Sequence, residues 1–389
     1  MKNTSTHDID LSQLYGQTTE VTRMLRTGSG GRLKTETTLA QEFPPYLRDA
    51  DGRVKDEFTD LEIIYRNTDL KAAGAGPVRD ELRPKLFALG IPRGNIHYGF
   101  VMMSTLFLRE HNRIAGLIGA AHPDWSDDRV FDTTRNTLTV VLLKIVIEDY
   151  INHITPIKFP LFVEPGIGAD EKWYRQNWMS VEFNLLYRWH SLVPTRVTVG
   201  GRPQDFAAIW WDTRPVTQHG LSALFDEASR QACSTIRLRN TDPSMLYIEE
   251  KSINIGRSAQ LASYNDYRRA CGFPPLRSID DLTSAKDVRA ALRDCYGPNG
   301  IDRIELFVGL FAEDIRRGST LPPLMSAMVA VDAFSQALTN PLLDPGVYGE
   351  ATFSRVGMDV IASTSTLSDI VPRNIPGESP RPRVSLSRR

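Results

Sequence analysis

Residues 132–153, DTTRNTLTVVLLKIVIEDYINH, constrain this chain more than any other stretch. Apolar residues fill most of the helical circumference between Leu138 and Ile147, the pattern of a helix enclosed by neighbours. Lys144 interrupts the run, and Glu148 and Asp149 follow it, so it is too short and too polar to span a bilayer. The reading is a long, largely buried helix, from Asp132 to His153, inside a mostly α protein.

The rest of the chain agrees with that class. Helical spacing also marks Asn95–Ala120, Thr217–Gln231, Ala285–Tyr296 and Leu321–Leu338. Pro and Gly fall between them, at Gly74–Pro77, Pro156–Gly168, Gly200–Pro203 and Pro298–Gly300. Period-two alternation is scarce, and Thr195–Val199 is the one candidate strand. From Pro372 the sequence PRNIPGESPRPRVSLSRR has few apolar anchors and is expected to be a disordered tail, 372–389.

A chain of 389 residues has ample material for a large core, in one domain or two. Its formal net charge of −1 gives no electrostatic case for nucleic acid. Cys233, Cys271 and Cys295 are widely spaced and form no C-x-x-C, so a reducing, cytoplasmic setting is the default. The start, MKNTSTHDID, is not a signal peptide.

One segment points to chemistry. Glu182–His190, EFNLLYRWH, places Tyr187 three residues before His190. On a helix those positions share a face, so both side chains could address one buried object. A histidine can ligate a metal through one ring nitrogen, and a nearby phenol can lose an electron and a proton to an oxidised metal centre. That pairing points to haem oxidation chemistry, in which the cofactor does the hard step. Taken alone, so short a pattern favours the plainer reading, a hydrogen-bonded Tyr and a satisfied core His.

Several segments together change the balance. EFNLLYRWHSLVP (182–194) closely resembles the proximal-haem helix of cyclooxygenases and fatty-acid dioxygenases, in the animal haem peroxidase superfamily. LFLREHNR (106–113) resembles that superfamily's REHNR helix, and residues 134–153 the helix that follows it in cyclooxygenases. SINIGRSAQLASYNDYRRACG (252–272) is similar to the segment supporting the proximal histidine, and DLSQLYG (10–16) to the end of the family's calcium loop. The matches keep the family's order from about Thr6 to about Val371. The resemblance implies a mostly α, animal haem peroxidase-like catalytic domain over residues 1–371.

It also implies roles. His190 would ligate the haem iron, Asn254 would orient it, and Arg257 would meet a propionate. Arg93 would stand on the distal side. The family's ester-forming Glu is replaced by Ile96, so haem b would be held non-covalently. Tyr187 places the chain nearer the cyclooxygenase and fatty-acid dioxygenase branch. There a tyrosyl radical takes a hydrogen atom from a fatty acyl chain and O₂ adds to the carbon radical. Ser335, in DAFSQALTNP, resembles the channel Ser of cyclooxygenases. Arg109 and Glu110 are expected to hold helices together. Thr6, Asp8, Asp10 and Ser12 present hard oxygen ligands at alternate positions, which suits Ca²⁺ as a second cofactor. Otherwise they form a polar loop in which Asp10 or Ser12 caps a helix.

The partners implied are a fatty acid with O₂ or peroxide, and peripheral membrane contact where apolar surface meets a substrate mouth. The sequence looks like the family domain without its distal-haem half, since no histidine here matches a distal motif. Weak or no peroxidase activity is therefore the expectation. The rivals are a haem peroxidase of small donors and an inactive haem-binding homologue.

Overall fold

Two helices built on strong caps carry the centre of the fold. The computed structural model describes residues 8–67, 78–154, 160–174, 179–375 and 382–386. The Tyr98–Ala121 helix begins where His97 Nδ1 accepts the Gly99 N–H. The Asp127–Lys144 helix begins where Ser126 accepts from Arg129, with Asp127 and Asp128 in its first turn and Lys144 in its last. They pack together, and a third helical stretch, Glu350–Ala362, broken at Ser354 (φ 58°), lies across both. The approach is close: a Cβ on Gly357 would sit 2.5 Å from Thr137 Oγ1, so only glycine fits. Val101, Leu106, Ile114, Leu138, Val140, Val141, Leu143 and Phe353 are fully enclosed here.

The long central helix is thus present but not uniform. Its α geometry starts at Asp127, earlier than its periodicity indicates. It loosens into a π-helix over Ile145–Ile151 and recovers only at Asn152–Ile154. Widened turns of this kind re-aim side chains and recur at functional sites. The other expected helices appear as Arg214–Arg230, which is broken at Gly220 (φ 74°), Lys286–Tyr296 and Pro323–Leu338. The expected strand is Arg196–Val199, antiparallel to Arg202–Asp205 across Gly200 and Gly201, both at positive φ. A second small hairpin pairs Glu36–Thr38 with Gln41–Phe43.

Four of the five residues of REHNR reach another element, and Arg113 pairs with Glu110 on its own helix. Arg109 donates to the carbonyls of Glu42 and Asn374, at 2.6 and 3.0 Å. Glu110, wholly buried, accepts both arms of Arg113 and the Asn374 amide. His111 lies between Tyr15 Oη at 2.8 Å and the Gly31 carbonyl at 2.9 Å. A carbonyl only accepts, so His111 Nε2–H donates to Gly31 and Nδ1 accepts from Tyr15. Asn112 pairs with both backbone groups of Leu33. The motif is an internal clamp, as its charge pattern indicates.

A second apolar cluster gathers Leu185, Leu186, Tyr264, Leu310, Leu324 and Met325. The Leu306–Ala312 helix crosses Tyr264 at Gly309, where a Cβ would meet the ring at 2.2 Å. The buried pair Arg268–Glu313, 2.7 Å apart, ties this cluster together.

The C-terminal segment departs from the expected disorder. Pro372–Asn374 forms a 3₁₀ turn, and buried Asn374 bonds to Glu110. Further on, Arg383 N–H donates to Asp226 and Ser385 N–H to Ser229. These backbone donors, with Ile375 buried in the core and Val384 packed against it, hold the segment. Residues 376–381 and 387–389 lie outside the described residues. Among the described residues, no helix is long and apolar enough to cross a membrane.

Candidate functional site

Tyr187 and His190 do not share a helix. Ser180 caps the Val181–Leu186 helix by accepting from Phe183, and that helix ends at Tyr187 (φ −100°, ψ 21°). His190 opens a separate 3₁₀ turn, His190–Leu192, after Trp189 leaves helical geometry. Across the break the aromatics stay stacked. Tyr187 packs on Phe183 at 4.9 Å and lies nearly parallel to Trp189 at 5.1 Å.

The acceptor facing His190 is Glu249, not Asn254. His190 Nδ1 is 3.2 Å from Glu249 Oε1, which also accepts from the Thr241 hydroxyl at 2.9 Å. Helical geometry gives the reason. On the Leu246–Ser258 helix, Ser252 is buried and receives Arg188 Nη1 at 3.0 Å, while a Cβ on Gly256 would touch Leu185. Glu249 stands on that same face. Asn254 lies about 140° round the helix from Glu249 and is exposed. Arg257 is exposed too, and its guanidinium pairs with Glu305 at 2.7 Å rather than lying open to a propionate.

Arg188 and Glu249 are the site residues that sequence reading missed. Arg188 grips Asn184 Oδ1 at 2.6 and 3.0 Å. Burial lowers its pKa, Glu249 raises it and Arg93 lowers it again, so Arg188 is within electrostatic reach of both. The turn Pro92–Asn95, buried except for Arg93 itself, therefore brings Arg93 to the site's side of the molecule. Motif spacing carries no signal for Glu249, whose contact with His190 closes only in three dimensions.

Tyr187 is held as a neutral phenol. Burial pushes its pKa up to about 12, with Asp332 adding to the rise. Burial also raises the Tyr150 pKa, with a further contribution from Tyr187. Tyr150 sits in the π turn, and Asp332 sits on the Pro323–Leu338 helix, which packs on Val181–Leu186. Ser335 is not among the residues lining the apolar cavity beside its helix. Its hydroxyl donates to the Asp332 carbonyl, 3.2 Å away on its own helix.

Phe334, one position earlier, lines an apolar cavity of about 760 Å³ with Ile151, Ile154, Val329, Ala330 and Phe273. Arg316 and Arg317 stand exposed in its wall, and among the described residues no ion pair reaches either. A larger polar cleft, about 1000 Å³, shares no residue with this cavity. Asp8 and Asp10 line it beside Asp127, Asp128 and Asp132. Asp10 Oδ1 accepts the Ser12 N–H at 2.9 Å, as a turn cap does. Thr6 lies outside the described residues, and among those described no group of His, Cys, Asp and Glu is placed to hold a metal ion.

The residues around His190 fit a haem. With Nδ1 engaged by Glu249, Nε2 has no protein partner among the described residues. Trp189 Nε1, Ser191 Oγ and Glu249 Oε2 are buried without a hydrogen bond, each costing about 1–3 kcal/mol if left so. A ring nitrogen free to bind iron, with the other tied to a carboxylate, is the usual arrangement of a metal-bound imidazole.

Comparison with known proteins decides the family. The family model described as animal haem peroxidase matches residues 1–382. The chain belongs to the animal haem peroxidase family. Members of that family bind haem. The chain is 30% identical over 373 residues to prostaglandin G/H synthase 2 of Equus caballus, and 29% identical over the same length to that of Gallus gallus. In both cases 95% of this chain matches 58% of the relative, so it spans little more than half their length. The fold is shared with Oryza sativa fatty acid alpha-dioxygenase with palmitic acid: TM-score 0.74, 19% identity, 96% of this chain and 64% of that one. It is shared too with peroxidase A of Dictyostelium discoideum: TM-score 0.70, 23% identity, 94% and 68%.

Proposed function

We propose that this chain carries the catalytic core of a haem-dependent oxygenase of fatty acids, with Tyr187 as the residue that acts on substrate. The observation that carries the reading is the apolar cavity. Ile151 in its wall adjoins Tyr150, and Phe334 in its wall lies on the helix that brings Asp332 toward Tyr187. An acyl chain fits an apolar lining of this size, and a carboxylate fits two unpaired guanidinium groups.

Haem held by His190 would supply the one-electron oxidant. Tyr187 keeps its proton at any physiological pH, so its oxidation releases an electron and a proton together. The phenoxyl oxygen then takes a hydrogen atom from an acyl carbon, re-forming the O–H bond. O₂ adds to the carbon radical, and the peroxyl radical takes the hydrogen atom back from the Tyr187 O–H, giving the hydroperoxide and regenerating the phenoxyl. Phe183 and Trp189 pin the ring and keep water from it. Calcium, haem b as the form of haem, and the catalytic extent 1–371 remain parts of this proposal, as does peripheral membrane contact.

Tyr187→Phe tests it. The ring stacking survives that change, and no hydrogen bond to the phenol is recorded among the described residues. Oxygen uptake with a fatty acid should vanish while the haem absorption stays unchanged. Undiminished uptake would show that Tyr187 is not the acting residue.

A further inference from the structure

The partner of His190 is an acid, and that acid is fixed from several sides. Oε1 of Glu249 takes both the His190 ring and the Thr241 hydroxyl, at 3.2 and 2.9 Å. Arg188 stands within electrostatic reach while giving its hydrogen bonds to Asn184 and Ser252. It therefore offsets the charge of Glu249 without competing for Oε1. Both partners are mostly shielded, with 24% of the His190 side chain and 18% of the Glu249 side chain exposed.

A carboxylate accepting from a metal-bound imidazole does what an amide oxygen does only weakly. It fixes the tautomer, draws the ring N–H, and makes the iron-facing nitrogen a stronger donor. Stronger donation favours the ferric state over the ferrous one, because axial-ligand basicity and its hydrogen bonding set the potential. We infer that Glu249 is the positioning residue of the proximal histidine, an anionic acceptor in place of a neutral amide, and that it biases the bound iron toward the ferric state. The inference rests on the haem reading of His190.

Thr241 supplies a signed control. Its hydroxyl withdraws density from the oxygen that faces His190, so Thr241→Val should strengthen the His190–Glu249 bond, whereas Glu249→Gln should weaken it. The experiment is spectroelectrochemical titration of the haemin-loaded full chain, with the iron–histidine stretch read by resonance Raman in the ferrous form. Glu249→Gln should move the midpoint potential to more positive values and the stretch to lower frequency. Thr241→Val should move both the other way, and Glu249→Asp, which keeps the charge, should stay near the parent.

Unchanged potential and stretch in Glu249→Gln, with haem still bound through His190, would overturn this inference and leave the haem reading standing. Equal binding by the parent and His190→Ala would overturn both. Should Glu249→Gln not fold, the Thr241→Val shift decides alone: a negative move supports the inference, and no move refutes it.

Discussion

Glu110 lies at the crossing of the REHNR helix and the C-terminal turn, and replacing it with Gln has a calculable outcome. Its carboxylate is wholly buried, accepts Arg113 at 2.8 and 2.6 Å and Asn374 at 2.7 Å, and lies 3.6 Å from Arg373. Gln keeps the shape but replaces one acceptor oxygen with an NH₂ group that must face a donor. Breaking a buried ion pair costs about 3–5 kcal/mol. Arg113 and Arg373 are 28% and 27% exposed, so water recovers part of the loss. The estimate is therefore about 3 kcal/mol, at the low end of that range. With a urea slope near 3 kcal/mol/M, the unfolding midpoint should fall by about 1 M at unchanged slope. Because the Asn374 bond to Glu110 is weakened as well, leaving its bonds to Ile370 and Arg109, trypsin should cut after Arg373 faster than in the parent. A midpoint shift under about 0.2 M with parental proteolysis would refute the clamp.

Other outcomes follow from the same packing. Burial lowers the pKa of His97 to about 4 and of His111 to about 3. Both stay neutral in the fold, while the unfolded chain binds protons below about 6.5, so their contribution is full above that pH and is lost as pH falls. The slope should approach ~2.7 kcal/mol per pH unit for the two groups, seen as urea midpoints falling from pH 6.5 to pH 4.5; a flat profile there contradicts it. Gly309→Ala gains up to ~1 kcal/mol of helix propensity but drives a methyl into buried Tyr264, a loss of about 1–3 kcal/mol; thermal melts should show net destabilisation. Arg316→Ala with Arg317→Ala should raise KM for a free fatty acid roughly 10-fold, in line with ~1.4 kcal/mol, and leave its methyl ester unaffected. An equal effect on both substrates would remove the carboxylate from that end of the cavity.

Local periodicity made much of this architecture readable. The segments 95–120, 217–231, 285–296 and 321–338 all became helices, with ends displaced by a few residues where caps such as His97 begin them. REHNR was readable as a clamp because buried charges need partners. Features set by tertiary contact were not. Nothing between Glu182 and His190 is a Gly or Pro, so the helix end at Tyr187 has no local stop signal. It follows from Arg188 and the aromatic stack being drawn to neighbouring elements. Asn254 stands out by its place in a motif, whereas the helix turns Glu249 toward His190. The docked C-terminal segment has no periodic apolar pattern because two isolated anchors, Ile375 and Val384, and polar groups on Asp226, Ser229 and Glu110 hold it.

The most direct test of the account is a haemin titration of the purified chain beside His190→Ala, followed by the Soret band. The account predicts a saturable shift in the parent that is lost in the variant. Equal binding by both proteins, or none by either, would contradict it and remove His190 from the centre of the site.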